Sequence, residues 1–246
     1  MAHNSKVSIV TIVYNDVKGI RKTIESVLNQ KTSADEYIII DGGSRDGTYE
    51  IINEYRGMLT KFISEPDSGI YDAMNKGWRL CKDSNYILFC NSSDHLESEA
   101  VSSFTAHLKL DHDASDIYHG MLKFVKGDSL QYIQGRTSEI LLNSMIEHPA
   151  SFVHKKVFDT LSGFNLKYKS ASDYDFMIRA KLAGFKFSFI QSIISNFDTT
   201  GISSTSSKGV LESLKIKMDH GLMSKSEYLL RTSSIKLAQL AKRAIK

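Results

Sequence analysis

Residues 36–49 read EYIIIDGGSRDGTY. The run Tyr37–Ile40 is apolar without alternation, the pattern of a short strand buried on both faces. It ends in DGGSRDGT, a loop dense in turn formers. Tyr49, Ile52 and Tyr55 then fall on one side of a helix. The unit is strand, loop, helix, and its neighbours repeat it. Upstream, VSIVTIV at 7–13 is a continuous β-branched strand, and Ile20, Ile24, Val27 and Leu28 place a helix over 17–29. Downstream come a strand near 60–64, a helix over 70–80 and the strand NYILFC at 85–90. This β-α-β-α-β-α-β order predicts an α/β, Rossmann-like doubly wound, mostly parallel sheet with helices on both faces and ligands at the strand C-termini.

Beyond about residue 95 the alternation loosens. The pattern predicts a helix near 97–109, strand-like pieces at 116–125 and 129–134, and a short helix at 137–144. A strand at 151–153, helices at 154–161 and 173–183, and strands within 185–197 follow. Two helical segments close the chain, at 207–222 and 224–245, after a composition shift at SSTSSK, 203–208.

The chain has 246 residues, 41% hydrophobic and 24% charged, which excludes a mostly disordered protein. Its net charge of +3 is uneven. Residues 206–246 hold nine Lys/Arg against three acids, so the tail is 9 − 3 = +6 and the rest is 3 − 6 = −3. The expected division is a catalytic domain over 1–205 and a basic helical tail over 206–246. Cys81 and Cys90 give neither a disulfide framework nor a zinc spacing and read as reduced structural thiols. The start reads as a strand rather than a signal peptide, and the apolar runs are too short to span a bilayer. The expectation is a cytoplasmic protein, with peripheral contact at the inner membrane face through the tail as an open reading.

Acids recur at the predicted strand ends: Asp41, Glu65 with Asp67, and Asp94. Carboxylates gathered on one sheet edge repel unless something positive lies among them. A divalent cation with a phosphate-bearing ligand resolves that charge. Neither GxGxxG nor GxxxxGK[ST] is present, so dinucleotide and P-loop readings lack their fingerprints.

The ordered set VSIVTIVYN (7–15), TIESVLNQ (23–30), EYIIIDGGSRDGT (36–48), SEPDSGIYDAMNKGW (64–78), YILFCNSSD (86–94), HPASFV (148–153), GFN (163–165), ASDYDFMIRA (171–180) and GIS (201–203) resembles the family 2 glycosyltransferases of GT-A fold. The likeness is strongest to bacterial enzymes of O-antigen, capsule and exopolysaccharide synthesis. It implies inverting transfer of a sugar from a nucleotide-sugar, usually a UDP-sugar, to a hydroxyl of a saccharide or lipid-linked saccharide.

The resemblance puts Thr11, Tyr14 and Asn15 beside the nucleotide and Asp41 on the base. A carboxylate there can accept the uracil ring N–H. Gly42 and Gly43 permit close backbone approach, and Ser44 and Asp46 complete the turn. Asp67 and Gly69 shape the donor loop, Ser68 is placed to cap the helix behind it, and Asn75 and Lys76 are candidates for sugar or phosphate. NSSD at 91–94 replaces the family's paired acids with a single one. It leaves Asp94 to ligate Mg²⁺ or Mn²⁺ and Asn91 and Ser93 to give neutral contacts. Asp173 matches the general base, with Asp175 the second candidate on the acceptor side. Arg179, four residues on, is spaced to pair with Asp175. His148 matches a position lining the acceptor side, while His220 lies beyond the matched region.

The missing acid leaves one alternative, a nucleotide-sugar-binding protein without transfer. A sugar-nucleotide pyrophosphorylase would need a glycine-rich basic N-terminal loop that the chain lacks. The tail alternates apolar and basic residues, as suits an anionic membrane face, a cap packed on the body, or a contact in a homo-oligomer. Nucleic acid is not expected, because no recognised module or basic–aromatic interleaving is present.

Overall fold

β1 (Val7–Val13) is buried along its whole length, as a central strand made of β-branched residues must be. The computed structural model describes residues 6–81, 86–127, 129–199 and 207–244. Successive side chains of β1 enter two cores, with Val7, Ile9 and Val13 on one side and Val10 and Ile12 on the other. β2 (Glu36–Asp41) and β4 (Tyr86–Phe89) flank β1 in parallel, and β3 (Lys61–Ser64) pairs in parallel outside β2. Helices α1 (Ile20–Leu28), α2 (Thr48–Glu54) and α4 (Ala100–Leu110) cover the first face. Helices α3 (Ile70–Leu80), α5 (Lys155–Leu161) and α6 (Ser172–Leu182) cover the second. The doubly wound α/β fold read from residues 36–49 is the fold observed.

The second half extends the same sheet. β8 (Ser151–His154) joins β4 antiparallel, and β6 (Ile117–Lys126) joins β8 antiparallel. β9 (Phe187–Asp198) runs parallel to β6, and β5 (His95–Leu96) closes the edge antiparallel to β9. β7 (Ser129–Gln134) is a hairpin partner of β6. The order of the described sheet is β3-β2-β1-β4-β8-β6-β9-β5.

Three elements differ from the sequence pattern. α1 starts at Ile20 rather than 17, because Asp16 Oδ1 accepts the Gly19 N–H and the amides of Asp16 and Val17 donate to Thr48 Oγ1 and Asp46 Oδ2. These bonds hold 16–18 out of the helix. The segment predicted as a helix at 137–144 is a single 3₁₀ turn at Ser138–Leu142. The strands expected within 185–197 are one twelve-residue strand. Cys81 and Cys90 are both free and buried.

The boundary between 205 and 206, and the GIS at 201–203, lie outside the described residues. The tail forms α7 (Ser207–Asp219) and α8 (Lys225–Ala244). α7 lies on α6, where Ile216 enters a cluster with Tyr168, Ala171, Tyr174 and Ile178. The packed-cap reading of the tail therefore holds for α7. Among the described residues no helix is long and apolar enough to cross a membrane.

Candidate active site

The loops after the parallel strands are tied to one another by polar bonds. Asn15, in the left-handed region at φ 50°, donates its N–H to Ser44 Oγ and accepts from the Arg45 N–H. Asp46, held below the usual carboxylate range chiefly by the Thr48 hydroxyl, accepts from Val17. Asp16 Oδ2 gathers the hydroxyls of Ser92 and Ser93 at 2.5 and 2.7 Å. The β1, β2 and β4 loops thus form one rigid floor.

Tyr14, 65% exposed, stands at the rim of that floor. Gly42 lies beneath it. A Cβ on Gly42 would sit 2.6 Å from Asp67 Oδ2 and 3.2 Å from Tyr14 Cδ2. The missing side chain at Gly42 is what lets Tyr14 and Asp67 approach its backbone so closely. Asp67 is itself fixed by the Gly69 N–H at 2.8 Å, and Gly69 has φ 116°, a conformation glycine adopts without strain. The expected cap by Ser68 is replaced: its N–H donates to Asp72 Oδ2.

Several sequence-assigned residues have their polar groups taken up by the protein itself. Thr11 is fully buried with its hydroxyl on the Tyr37 phenol. Asn75, 3% exposed, clasps Phe164 through both backbone groups and accepts from the Trp78 indole. Asp41 is fully buried, and its oxygens accept from the Ser44 N–H, the Ser44 hydroxyl and the Ser64 hydroxyl. It builds the turn on which Gly42 sits. Lys76 bonds the Pro66 carbonyl at 3.0 Å and Glu65 at 2.8 Å, bracing the donor loop from below. Ser93, at φ 72°, gives its hydroxyl to Asp16.

Asp94 ends the floor at 5% exposure, accepting the Asp198 N–H at 3.1 Å. Burial first, then the fields of Asp198 and Asp16, push its carboxyl up to about 8. Such a group is an unstable anion unless a cation lies beside it. The buried Asn91 Oδ1 close by in sequence has no partner. Among the described residues no three His, Cys, Asp or Glu side chains converge on a metal position. This donor set fits a hard divalent ion that takes one protein carboxylate and completes its shell with phosphate oxygens and water.

On the other side of the donor loop, Asp173 is the second residue of α6 and is half-buried. The Tyr71 hydroxyl donates to its Oδ1 at 2.8 Å. Burial, and then Asp173 itself, hold the Tyr71 phenol well above its ordinary range, so it remains a donor. Tyr71 follows Gly69 by two residues, and the donor loop and Asp173 are therefore mechanically joined. His148 is 6% exposed and stacked on Phe89. Burial lowers its affinity for a proton, partly offset by Asp173, so the ring is neutral near pH 7. Asp175 does not reach the acceptor side. It is 1% exposed and bonded to Arg179 at 2.7 Å and to His220 at 2.8 Å.

The start of α6 is completed from outside its own sequence. Ala171, the residue before the helix, has no capping side chain. Glu212 of α7 accepts instead from the backbone N–H groups of Lys169, Ser170 and Ala171 at 2.6–3.0 Å. Asp219 adds bonds to Lys167 and the Tyr168 hydroxyl at 2.7 Å. Asp16, Tyr71, Glu212 and His220 are the residues that sequence reasoning did not assign. Tyr71 lies inside the quoted motif, while Glu212 and His220 carry no local signal.

The family model for glycosyl transferase family 2 matches residues 8–176, from the first strand to α6. The chain is a family 2 glycosyltransferase. An uncharacterised glycosyltransferase of Mycobacterium tuberculosis is 31% identical over 203 residues, covering 80% of this chain and 77% of that relative. Staphylococcus aureus TarS in complex with UDP-GlcNAc superposes with a TM-score of 0.72 at 20% identity, over 91% of this chain and 68% of that one. GalNAc-T7 with UDP, GalNAc and Mn²⁺ superposes at 0.67 and 12% identity, over 87% and 48%. These two likenesses establish the GT-A-like fold of this glycosyltransferase.

Proposed function

We propose that this glycosyltransferase moves a sugar from a UDP-sugar to a hydroxyl of a saccharide or lipid-linked saccharide, with inversion, in bacterial surface polysaccharide synthesis. We assign the base of the nucleotide to the surface beside Tyr14 and Asp67, where Gly42 keeps the backbone open. The observation that carries the reading is the bond from Tyr71 to Asp173, which ties one carboxylate to the helix that begins after Gly69. Tyr71 and the Tyr174 N–H both donate to Oδ1, and Oδ2 is the atom to which we assign the acceptor proton.

In the step, the acceptor oxygen forms its bond to the anomeric carbon on the side opposite the diphosphate. Its proton passes to Asp173 Oδ2. The bond from the anomeric carbon to the diphosphate breaks, and UDP leaves with the electron pair. Mg²⁺ or Mn²⁺ held by Asp94 supplies charge stabilisation for that leaving group. We assign His148, a neutral ring 6% exposed, to the wall of the acceptor side. The solved relatives holding UDP, UDP-GlcNAc and Mn²⁺ support this choice of donor and ion.

The test is nucleotide release from UDP-, GDP- and dTDP-sugars with candidate acceptors. UDP-sugars are expected to support turnover, and an α-linked donor is expected to give a β-linked product by NMR. Asp173→Asn should lower turnover by about 10²–10⁴-fold while donor binding persists. Full activity in that variant, or a retained anomeric configuration, removes the base assignment.

A further inference from the structure

α8 presents two unlike faces. Tyr228, Thr232 and Ile235, at i, i+4 and i+7, turn inward and are half-buried or buried. The opposite face carries Leu230 and Leu237, seven residues apart and 70% and 65% exposed, with Leu229 at its edge at 53%. Isolated exposed leucines are ordinary, but here they line up along one helix. At helical spacing Ser226, Ser233, Ser234 and Glu227 lie beside the leucine pair, Lys225 and Lys236 fall next to Leu229, and Arg231 lies on the other flank beyond Glu227. In sequence the pattern continues through Leu240, Lys242 and Arg243.

We infer that α8 is an interfacial helix that seats this enzyme on an anionic lipid bilayer surface, leucines in the acyl boundary and lysines at the headgroups. The charge on the helix selects this occupant. From residue 225 to the end there are six Lys/Arg and one acid, Glu227, which already bonds Arg231 at 2.8 Å. A second copy laid along the same face would bring cations against cations. A bilayer of acidic phospholipid matches both the apolar stripe and its borders. The inference uses neither the donor nor the acceptor assigned above. It has a consequence for geometry, because α7 joins α8 to α6, the helix that carries Asp173. Anchoring α8 therefore keeps the acceptor side near the membrane.

The full chain is sedimented with vesicles of phosphatidylcholine alone and of phosphatidylcholine mixed with phosphatidylglycerol. Binding is expected only to the mixed vesicles and should weaken as salt rises. The double variants Leu230→Ser/Leu237→Ser and Lys225→Ser/Lys236→Ser should each lose about tenfold or more in binding. Their melting temperatures and UDP release with a soluble acceptor should be unchanged, which separates loss of docking from loss of fold or of transfer. Equal binding to neutral vesicles overturns the inference, as does indifference to the leucine pair. A leucine-dependent dimer by light scattering, with no vesicle binding, assigns the face to a second copy instead.

Discussion

Asp94 shows how a single side chain can be set against its own fold. A carboxyl with an ordinary value of 3.8 is pushed up to about 8, first by burial and then by Asp198 and Asp16. Below pH 4 the group is protonated in folded and unfolded chains alike. As pH rises toward 8 the unfolded chain releases the proton and the folded one keeps it, so the folded state loses stability across that window. Asp94→Asn lacks this term. In metal-free solution the variant should gain on the native protein between pH 5 and 8, by at least about 2 kcal/mol, while transfer is lost. Urea unfolding in a chelator at both pH values measures it, and parallel pH profiles would show that Asp94 is not strained. Other residues teach the reverse lesson about reading chemistry from sequence. Thr11 and Asn75 stand inside the right motifs, yet their polar groups are taken by Tyr37, 26 residues away, and by Phe164, 89 residues away. Nothing local announces such partners. Gly42 was legible as a turn position because the run DGGS is a local signal, whereas the bond that holds Asp173 comes from Tyr71, 102 residues away.

At the scale of elements, the four parallel strands and the loops at their ends were readable, since β-branched runs and turn formers are local signals. The two-residue β5 was not, because it exists only through pairing with β9 a hundred residues later. The 3₁₀ turn at 138–142 was misread as helix for a related reason: five residues of helical spacing do not make a helix without a face to bury. The more consequential hidden relation is between α6 and α7. α6 begins with no cap of its own, and three backbone donors just before Asp173 are satisfied by Glu212. Glu212→Ala leaves those groups to water or to nothing and should cost about 1.5–3 kcal/mol of stability. Because the loosened segment carries Asp173, turnover should fall further than donor affinity does. Glu212→Gln retains an acceptor oxygen and should recover part of both. Thermal melts beside kcat and KM decide it. A stability loss with kcat unchanged would make the clasp structural only.

Across the whole molecule, the split of charge into an acidic body and a basic tail was visible in composition, but its meaning depended on geometry. The acids of the body are not free. Asp41 and Asp175 are buried in polar bonds. In the tail, Asp219 is held well below its usual range, because Lys167, Lys215 and Tyr168 outweigh the opposing effect of burial. Asp94 instead lies in the field of two further acids, Asp198 and Asp16, and no ready-made metal cage exists among the described residues. Metal and nucleotide should therefore bind as one event, each supplying what the other lacks. Mn²⁺ or Mg²⁺ alone is expected to leave the melting temperature nearly unchanged, and UDP with chelator to raise it only slightly. Together at about 100 times the dissociation constant they should add about 2.7 kcal/mol, or roughly 5–10 °C for a chain of this length. Asp94→Asn should abolish the synergy but keep the small UDP effect, since the base position proposed above, beside Tyr14, Gly42 and Asp67, does not use Asp94. If the ion alone produced the full shift, a preformed metal site would have to exist. If UDP alone did, the positive charge at the diphosphate would have to come from the protein's own cations, and Asp94 would lose its role.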